Sequence, residues 1–171
     1  SDSMEPGQWL DLMADDTPAL RVQFFGAVPE AAQRYWRGPV LTAFDGRRWM
    51  RDPASARRPP AVVEAGTQHW DYQIDYEPTD RRQLVALDLP GQAPAGSTLD
   101  ADMSLSSDRA LASLSRWRLQ SAPPRRFDST LSPYLRRAAL QLPDGFNPRT
   151  ATLARQWRHD AGNDAVSYTH L

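Results

Sequence analysis

The chain has 171 residues, a formal net charge of −1 and a pI near 6.3. That length suits one domain, or one and the start of another, with enough chain for a real core. The charge balance lacks the basic surplus of a nucleic-acid binder, and the absence of cysteine removes disulfides, thiolate metal sites and a cysteine nucleophile from these residues.

All 20 basic side chains are Arg, Ile74 is the single Ile, and Ala and Pro are abundant. This is the coding bias of a GC-rich genome rather than a device for binding phosphate. The adjacent pairs Arg47-Arg48, Arg57-Arg58, Arg81-Arg82, Arg125-Arg126 and Arg136-Arg137 are offset by 17 Asp, so they read as solvated faces. Residues 1–6 carry neither the basic nor the apolar region of a signal peptide, and no apolar run approaches the ~20 residues of a membrane span. For a protein outside the cytoplasm, the export signal is expected upstream.

Residues 1–16 are polar, with room for a short helical turn at 9–13. Leu20, Val22 and Phe24 alternate with Arg21 and Gln23, the period of a half-buried strand. Residues 35–49 hold the strongest local signal. Residues 40–44 run extended, Asp45-Gly46 is expected to supply both positive-φ positions of a type I′ turn, and residues 47–49 return antiparallel. Trp36 and Trp49 flank this hairpin and can nucleate a core. Residues 51–66, with Pro53, Pro59 and Pro60, read as a surface excursion.

Trp70, Tyr72, Ile74 and Tyr76 then alternate with Asp71, Gln73 and Asp75, the cleanest amphipathic strand in the chain. Residues 84–89 form a nearly continuous apolar run that suits one buried strand. Residues 99–105 and 114–119 are expected as two more, with Met103 and Leu105 on one face and Trp117 and Leu119 on another. About seven short strands separated by turn signals predict a mainly β, antiparallel domain, sandwich-like or a partly open barrel. No repeat of the propeller or solenoid kind is visible.

The character changes after Pro123-Pro124. Residues 134–140 are expected to be extended or loosely helical, stopping before Pro143-Asp144-Gly145. Asn147 suits an N-cap and Pro148 the first helical position. Thr150, Leu153, Ala154 and Trp157 then share one face and Thr152, Arg155, Gln156 and His159 the other, predicting a C-terminal amphipathic helix that ends at 159–162.

Residues capable of chemistry are few and scattered. His69, His159 and His170 lack metal-ligand spacing and read as structural or surface histidines. Asp15-Asp16, Asp71 with Asp75, and Asp100 with Asp102 could serve as acid/base pairs of the glycosidase kind. Asp71 and Asp75, however, lie on the polar face of a strand, where solvation is the simpler role. No nucleophile elbow or Gly-rich phosphate loop occurs. Arg37 and Asp45 could pin the hairpin as an ion pair, but Asp45 is better suited to serving the turn. Trp36, Trp49, Trp70 and Trp117 could line a glycan or peptide groove, yet each falls on or beside an apolar strand face and is expected in the core. No catalytic, cofactor-binding or metal residue is assigned, and no cofactor is expected.

Several stretches resemble one family. Pro6-Gly7, Ala19-Leu20-Arg21-Val22-Gln23-Phe24, Tyr35-Trp36-Arg37-Gly38-Pro39-Val40-Leu41 and Phe44-Asp45-Gly46-Arg47-Arg48-Trp49 resemble the bacterial membrane-anchored TgpA-type protein-glutamine gamma-glutamyltransferases, which are transglutaminase-like membrane proteins. Tyr76-Glu77-Pro78-Thr79, Leu84-Val85-Ala86-Leu87-Asp88, Leu140-Gln141-Leu142-Pro143 and Phe146-Asn147-Pro148-Arg149 follow in the same order. The resemblance covers the extracytoplasmic segment that precedes the family's Cys-His-Asp core.

The resemblance implies a linker at 1–16 after an absent membrane segment, a β-rich extracytoplasmic domain at 17–128, and the start of a truncated catalytic domain at 129–165. Residues 166–171 depart from the family and match the translation of a sequencing-adapter end, so they are read as a non-native tail. The implied partners are the catalytic domain and upstream membrane helices, at the periplasmic or outer face of a bacterial inner membrane. The implied role is non-catalytic support of an acyltransferase that uses a Cys thiolate, none of whose catalytic residues maps onto this chain. The alternative is a ligand-binding β-module for cell-wall glycan or a protein partner. Three or more of Trp36, Trp49, Trp70 and Trp117 on one solvent face would favour that alternative; a hydrolase built on Asp pairs is a remote third.

Overall fold

The computed structural model describes residues 3–5, 17–52, 58, 60, 62–127 and 132–161. In chain order its strands are β1 (Ser3–Met4), β2 (Leu20–Phe25), β3 (Trp36–Arg37), β4 (Ala43–Phe44), β5 (Trp49–Met50), β6 (Val63–Ala65), β7 (Trp70–Tyr76), β8 (Gln83–Leu84), β9 (Ala86–Leu87), β10 (Ser97–Leu99), β11 (Leu105–Ser107), β12 (Ser115–Ser121) and β13 (Pro124–Phe127). Two helices follow, α1 (Pro133–Ala139) and α2 (Pro148–Ala161). This is the expected mainly β, antiparallel architecture with a helical C-terminal part, in strands shorter and more numerous than the sequence pattern suggested.

The core is built on β7. Its alternation sends Trp70, Tyr72, Ile74 and Tyr76 to one face, where all four are buried, and leaves Asp71, Gln73 and Asp75 half-exposed on the other. β2 and β12 bond its two edges antiparallel, with Ile74 opposite both Val22 and Trp117. Leu84, Leu87, Leu105, Leu111 and Leu119 close over the buried face. Phe24, Trp36 and Tyr72 meet with ring centroids 5.7–6.4 Å apart, so the hairpin's leading tryptophan does join the core. Each fully buried side chain of this size contributes about 1.5–3 kcal/mol.

A closed ring of hydrogen bonds locks three strands together inside this core. Ser121 Oγ donates to the Leu87 carbonyl (2.6 Å), and the Leu87 N–H donates to Tyr72 Oη (3.0 Å). A serine hydroxyl has one proton, so the remaining contact of 2.9 Å is Tyr72 donating to Ser121 Oγ. Burial pushes the Tyr72 phenol up to about 12, which keeps it a donor.

The other strands form small antiparallel groups around this sheet: β10-β11-β8, β3-β9, β13-β6 and β1-β5-β4. Three expectations change here. Residues 84–89 are two strands, because β8 pairs with β11 and β9 with β3 while the Val85 carbonyl between them accepts the Tyr76 hydroxyl. Residues 99–105 are a hairpin, with Leu99 facing Leu105. Asp102 Oδ1 accepts the Ser104 N–H and hydroxyl, and Met103 takes φ +64° in the turn, so short-range Asp chemistry outweighs the apolar residues that suggested a continuous strand. The excursion at 51–66 contains β6, which pairs with β13.

At the chain start Ser3–Met4 pairs with β5, and Glu5 bonds Arg48. At the other end α1 is a true helix, with Ser132 Oγ accepting the Leu135 N–H (3.2 Å) and Pro133 in its first turn. α2 starts at Pro148 as expected. Asn147 sits at φ +48°, and its carbonyl accepts the Ala151 N–H (3.0 Å). Neither helix buries a residue, and among the described residues no helix is long and apolar enough to cross a membrane. The turn expected at 9–13, Asp15-Asp16, most of residues 53–61, and the tail at 166–171 with His170 lie outside the described residues.

Candidate functional site

The β4–β5 hairpin meets the segment that contains both helices. The hairpin closes through Asp45 N–H to the Arg48 carbonyl (3.1 Å), with Phe44 stacked on Trp49 at 4.9 Å. Its central residues are therefore Gly46 and Arg47, and only Gly46 has positive φ, +103°. A type I′ turn needs positive φ at both central residues, so the I′ reading with Asp45 at positive φ is corrected. Asp45 instead folds its carboxylate inward: Oδ1 accepts the N–H groups of Arg47 (2.8 Å) and Arg48 (2.7 Å). Those two backbone bonds, Arg48 first, hold the Asp45 carboxyl below the usual carboxylate range.

Gly46 does a second job. A Cβ there would lie 2.7 Å from the ring of Phe146, so glycine is what lets the loop between α1 and α2 lay an aromatic ring on the turn. Next to this contact the hairpin and α1 enclose a cavity of ≈ 310 Å³ lined by Thr42, Phe44, Asp102, Tyr134 and Leu135 among others. The Arg58 guanidinium sits 4.5 Å from the Tyr134 ring centroid. Beyond the cavity, Leu140, Leu142, Phe146, Leu153 and Trp157 are all exposed. The arrangement is a junction: a shaped β-body on one side, an uncovered apolar helical surface on the other.

Two ion pairs stiffen the body beneath the hairpin. Arg37 forks onto both oxygens of Asp88 (2.7 and 3.1 Å) and also reaches the Asp102 carbonyl (3.3 Å). The bond to Asp88 raises the Arg37 pKa against the opposing effect of burial. Arg51 holds the buried Asp100 and adds bonds to Ser104 Oγ (3.1 Å) and Ser106 Oγ (3.3 Å). Neither pair is visible in sequence, because partners 49 to 51 positions apart leave no periodic trace.

The residues singled out from sequence are not brought together. Asp75 is bridged by Arg116 (2.8 and 2.9 Å), which lowers its pKa, and Asp71 accepts from Gln120 (3.1 Å); this is a solvated polar face with cross-strand pairs. Asp100 and Asp102 are committed to Arg51 and to their own turn. Arg37 pairs with Asp88 and leaves Asp45 to the turn. His69 and His159 each lie beside a single Asp (3.6 and 3.2 Å). Among the described residues no group of three or more potential ligands could hold a metal. Trp70 is buried, Trp36 and Trp117 are half-buried against the core, and Trp49 is stacked on Phe44. They form no shared solvent-facing platform.

Comparison with known proteins follows the same lines. The family model described as the TgpA N-terminal domain matches residues 1–128. A protein-glutamine gamma-glutamyltransferase of Pseudomonas aeruginosa is 31% identical over 158 residues, 92% of this chain and 24% of that protein's length. Two crystal structures of the periplasmic domain of TgpA from Pseudomonas aeruginosa, one bound to ethylmercury, each align with a TM-score of 0.86 at 28% and 29% identity. The alignments cover 99% of this chain and 60% and 59% of those domains.

Proposed function

This chain belongs to the TgpA N-terminal domain family, and on that premise we propose that it is the non-catalytic supporting part of a periplasmic, membrane-anchored transglutaminase-like enzyme. In this reading residues 17–128 are a β-rich extracytoplasmic domain, residues 129–165 begin the catalytic domain, and residues 1–16 lead in from membrane helices. The parent protein is then a protein-glutamine gamma-glutamyltransferase acting through a Cys thiolate, with His as base and Asp as orienter. The chain itself has no cysteine, so the nucleophile belongs to residues outside it.

The observation that carries this reading is the junction. The β-body has a buried core of its own, and its exposed apolar side chains, such as Val28, Tyr35, Val62 and Leu114, are scattered along the chain. By contrast, α1 and α2 bury no residue, and with the loop between them they expose Leu135, Leu140, Leu142, Phe146, Leu153 and Trp157 in close succession. A run of exposed apolar side chains on consecutive elements is an interface awaiting its cover. The part of the periplasmic relatives that this chain does not span supplies one. The Phe146 ring on Gly46 is the peg by which the body holds that interface in place.

Two measurements test the proposal. The purified chain should show no turnover of a glutamine-donor substrate above a boiled control; turnover would overturn the non-catalytic role. In the periplasmic domain of Pseudomonas aeruginosa TgpA, removing the region equivalent to residues 1–128 should lower stability and activity together. Full activity and an unchanged Tm without that region would overturn the supporting role.

A further inference from the structure

The β-body carries a second cavity, of ≈ 370 Å³, lined by Gly96, Ser107, Asp108, Arg109, Leu111 and Trp117 with the serines beside them. No residue lines both this cavity and the one at the junction. We propose that it is a saccharide subsite, taking a ring of a neutral, hydroxyl-rich glycan.

Its apolar part is fixed in place. Trp117 packs against the core yet stays half-exposed, and its indole N–H donates to Ser115 Oγ (3.2 Å), which holds the ring's orientation and satisfies its one polar group. Gly96, at φ +80°, adds no side chain to this wall; a Cβ there would touch Trp117 Cη2 at 3.9 Å. Leu111, buried, forms the floor. It is held by its N–H to the Arg81 carbonyl (2.8 Å) and by its carbonyl, which accepts the Thr79 N–H (2.9 Å). The loop above is braced in the same way, by Asp108 N–H to the Gly96 carbonyl (2.9 Å) and Arg109 N–H to Ser107 Oγ (3.2 Å). A cavity whose walls are held before a ligand arrives loses little on binding it.

The polar part decides the ligand class. Four charge pairs on the body are matched: Arg37 with Asp88, Arg51 with Asp100, Arg116 with Asp75, Arg21 with Glu77. Asp108 and Arg109, like Asp80, Arg81 and Arg82, stand outside them, and of these Asp108 and Arg109 line the cavity. Both are exposed at the cavity rim, and neither side chain has a partner among the described residues. An anion would match Arg109 and oppose Asp108, a cation the reverse, and an apolar molecule would strip water from both without return. A sugar hydroxyl both donates and accepts, so neighbouring hydroxyls can give a proton to Asp108 and receive one from Arg109. The C–H faces of the same ring suit Trp117 and Leu111. Small-ligand sites combine apolar walls with convergent polar groups. This cavity has both, with Trp117 and Leu111 beside Asp108, Arg109 and the serines, and lies near the small end of the usual range, about 300–1,000 Å³.

The test is a titration of the whole chain, uniformly ¹⁵N-labelled, with maltotetraose, cellotetraose and chitotetraose, each taken to about 10 mM, well above the millimolar Kd of a weak site. The expected result is a saturable shift of the Trp117 indole N–H and the amides of residues 107–113 with at least one of the three. Asp108→Ala and Arg109→Ala, both at exposed positions, should leave Tm unchanged and weaken that binding about tenfold each, the loss of one charge-assisted hydrogen bond. No saturable shift with any of the three sugars overturns the proposal. So does a shift that persists unweakened in both variants. An equal shift on adding trialanine overturns it as well, in favour of a peptide groove. None of these outcomes bears on the supporting role of the junction, which involves other residues.

Discussion

On β7, Trp70, Tyr72, Ile74 and Tyr76 are between 0% and 3% exposed, whereas Leu153 and Trp157 on α2 are each 43% exposed. Both segments are amphipathic by pattern, one with period 2 and the other with the helical period. The strand lies between β2 and β12, and its apolar face meets the leucines of β8, β9, β11 and β12. Among the described residues α2 has no such cover and buries none of its side chains. An amphipathic pattern therefore says which face will be buried and leaves open what buries it. In this chain the contrast separates a body with a buried core from a helical segment whose apolar side chains stay exposed.

The largest effect should come from the ion pair of the buried Asp100 with the half-buried Arg51. Asp100→Ala strands the Arg51 guanidinium beside Ser104 and Ser106, and one-sided removal of such a pair costs about 3–5 kcal/mol. A chemical-denaturation midpoint close to wild type would show that the pair is solvated and that the body is less closed than described. Ile74→Ala should follow at about 2–5 kcal/mol. The same kind of truncation at Leu153 should stay within about 0.5 kcal/mol, because a half-exposed side chain leaves no cavity. Comparable losses at the two sites would erase the contrast.

Hydrogen exchange reads that contrast without mutation. The amides of residues 153–157 should exchange far faster than those of Trp70–Tyr76, since a helix of this length is marginal in water without a covered face. Equal protection would place α2 in the same cooperative unit as the β-body. Gly46→Val sharpens the boundary itself. Positive φ strains a β-branched residue by about 1–3 kcal/mol, and the new side chain would also displace the Phe146 ring. Its thermal shift should be smaller in a Phe146→Ala background. Identical shifts in both backgrounds would mean that the ring does not rest on the turn.

The smallest effect lies on the polar face. Arg116 lowers the Asp75 pKa, first through its hydrogen bond and then through its charge. A depressed carboxyl adds stability that is fully present above its unfolded value, about 3.9, and is lost as the pH falls through the lower folded value. Arg116→Ala should therefore raise the Asp75 pKa, followed by NMR, and flatten the acid limb of the stability curve below about pH 4. An unmoved Asp75 titration would show that the Arg116 bridge is not held in solution.

How much of this was legible in the chain varies with the range of the interaction. β2, β7 and β12 announced themselves through alternation, and α2 through a Pro at its first position with an apolar stripe behind it. The family resemblance rested on local strings such as Phe44-Asp45-Gly46-Arg47-Arg48-Trp49. The split of residues 84–89 was not legible, because it depends on Tyr76 bonding the Val85 carbonyl and on two different partner strands. The hairpin at 99–105 carried a local signal, Asp102 followed two residues later by Ser104, which the surrounding apolar residues obscured. The turn expected around Asp45-Gly46 is centred one residue later, on Gly46-Arg47, and is of another type, since both depend on which residues close the loop.

By itself the sequence determined the class of the fold, the strand at its centre, the start of the second helix and the lack of any thiol chemistry within these residues. Those follow from composition and from periodicities that act over a few residues. Only the tertiary structure decided which charges pair, that the α1–α2 loop rests on Gly46, and that Asp108, Arg109 and Trp117 share one cavity. Such contacts join residues far apart in the chain, and no local pattern encodes a distance that only the folded backbone sets.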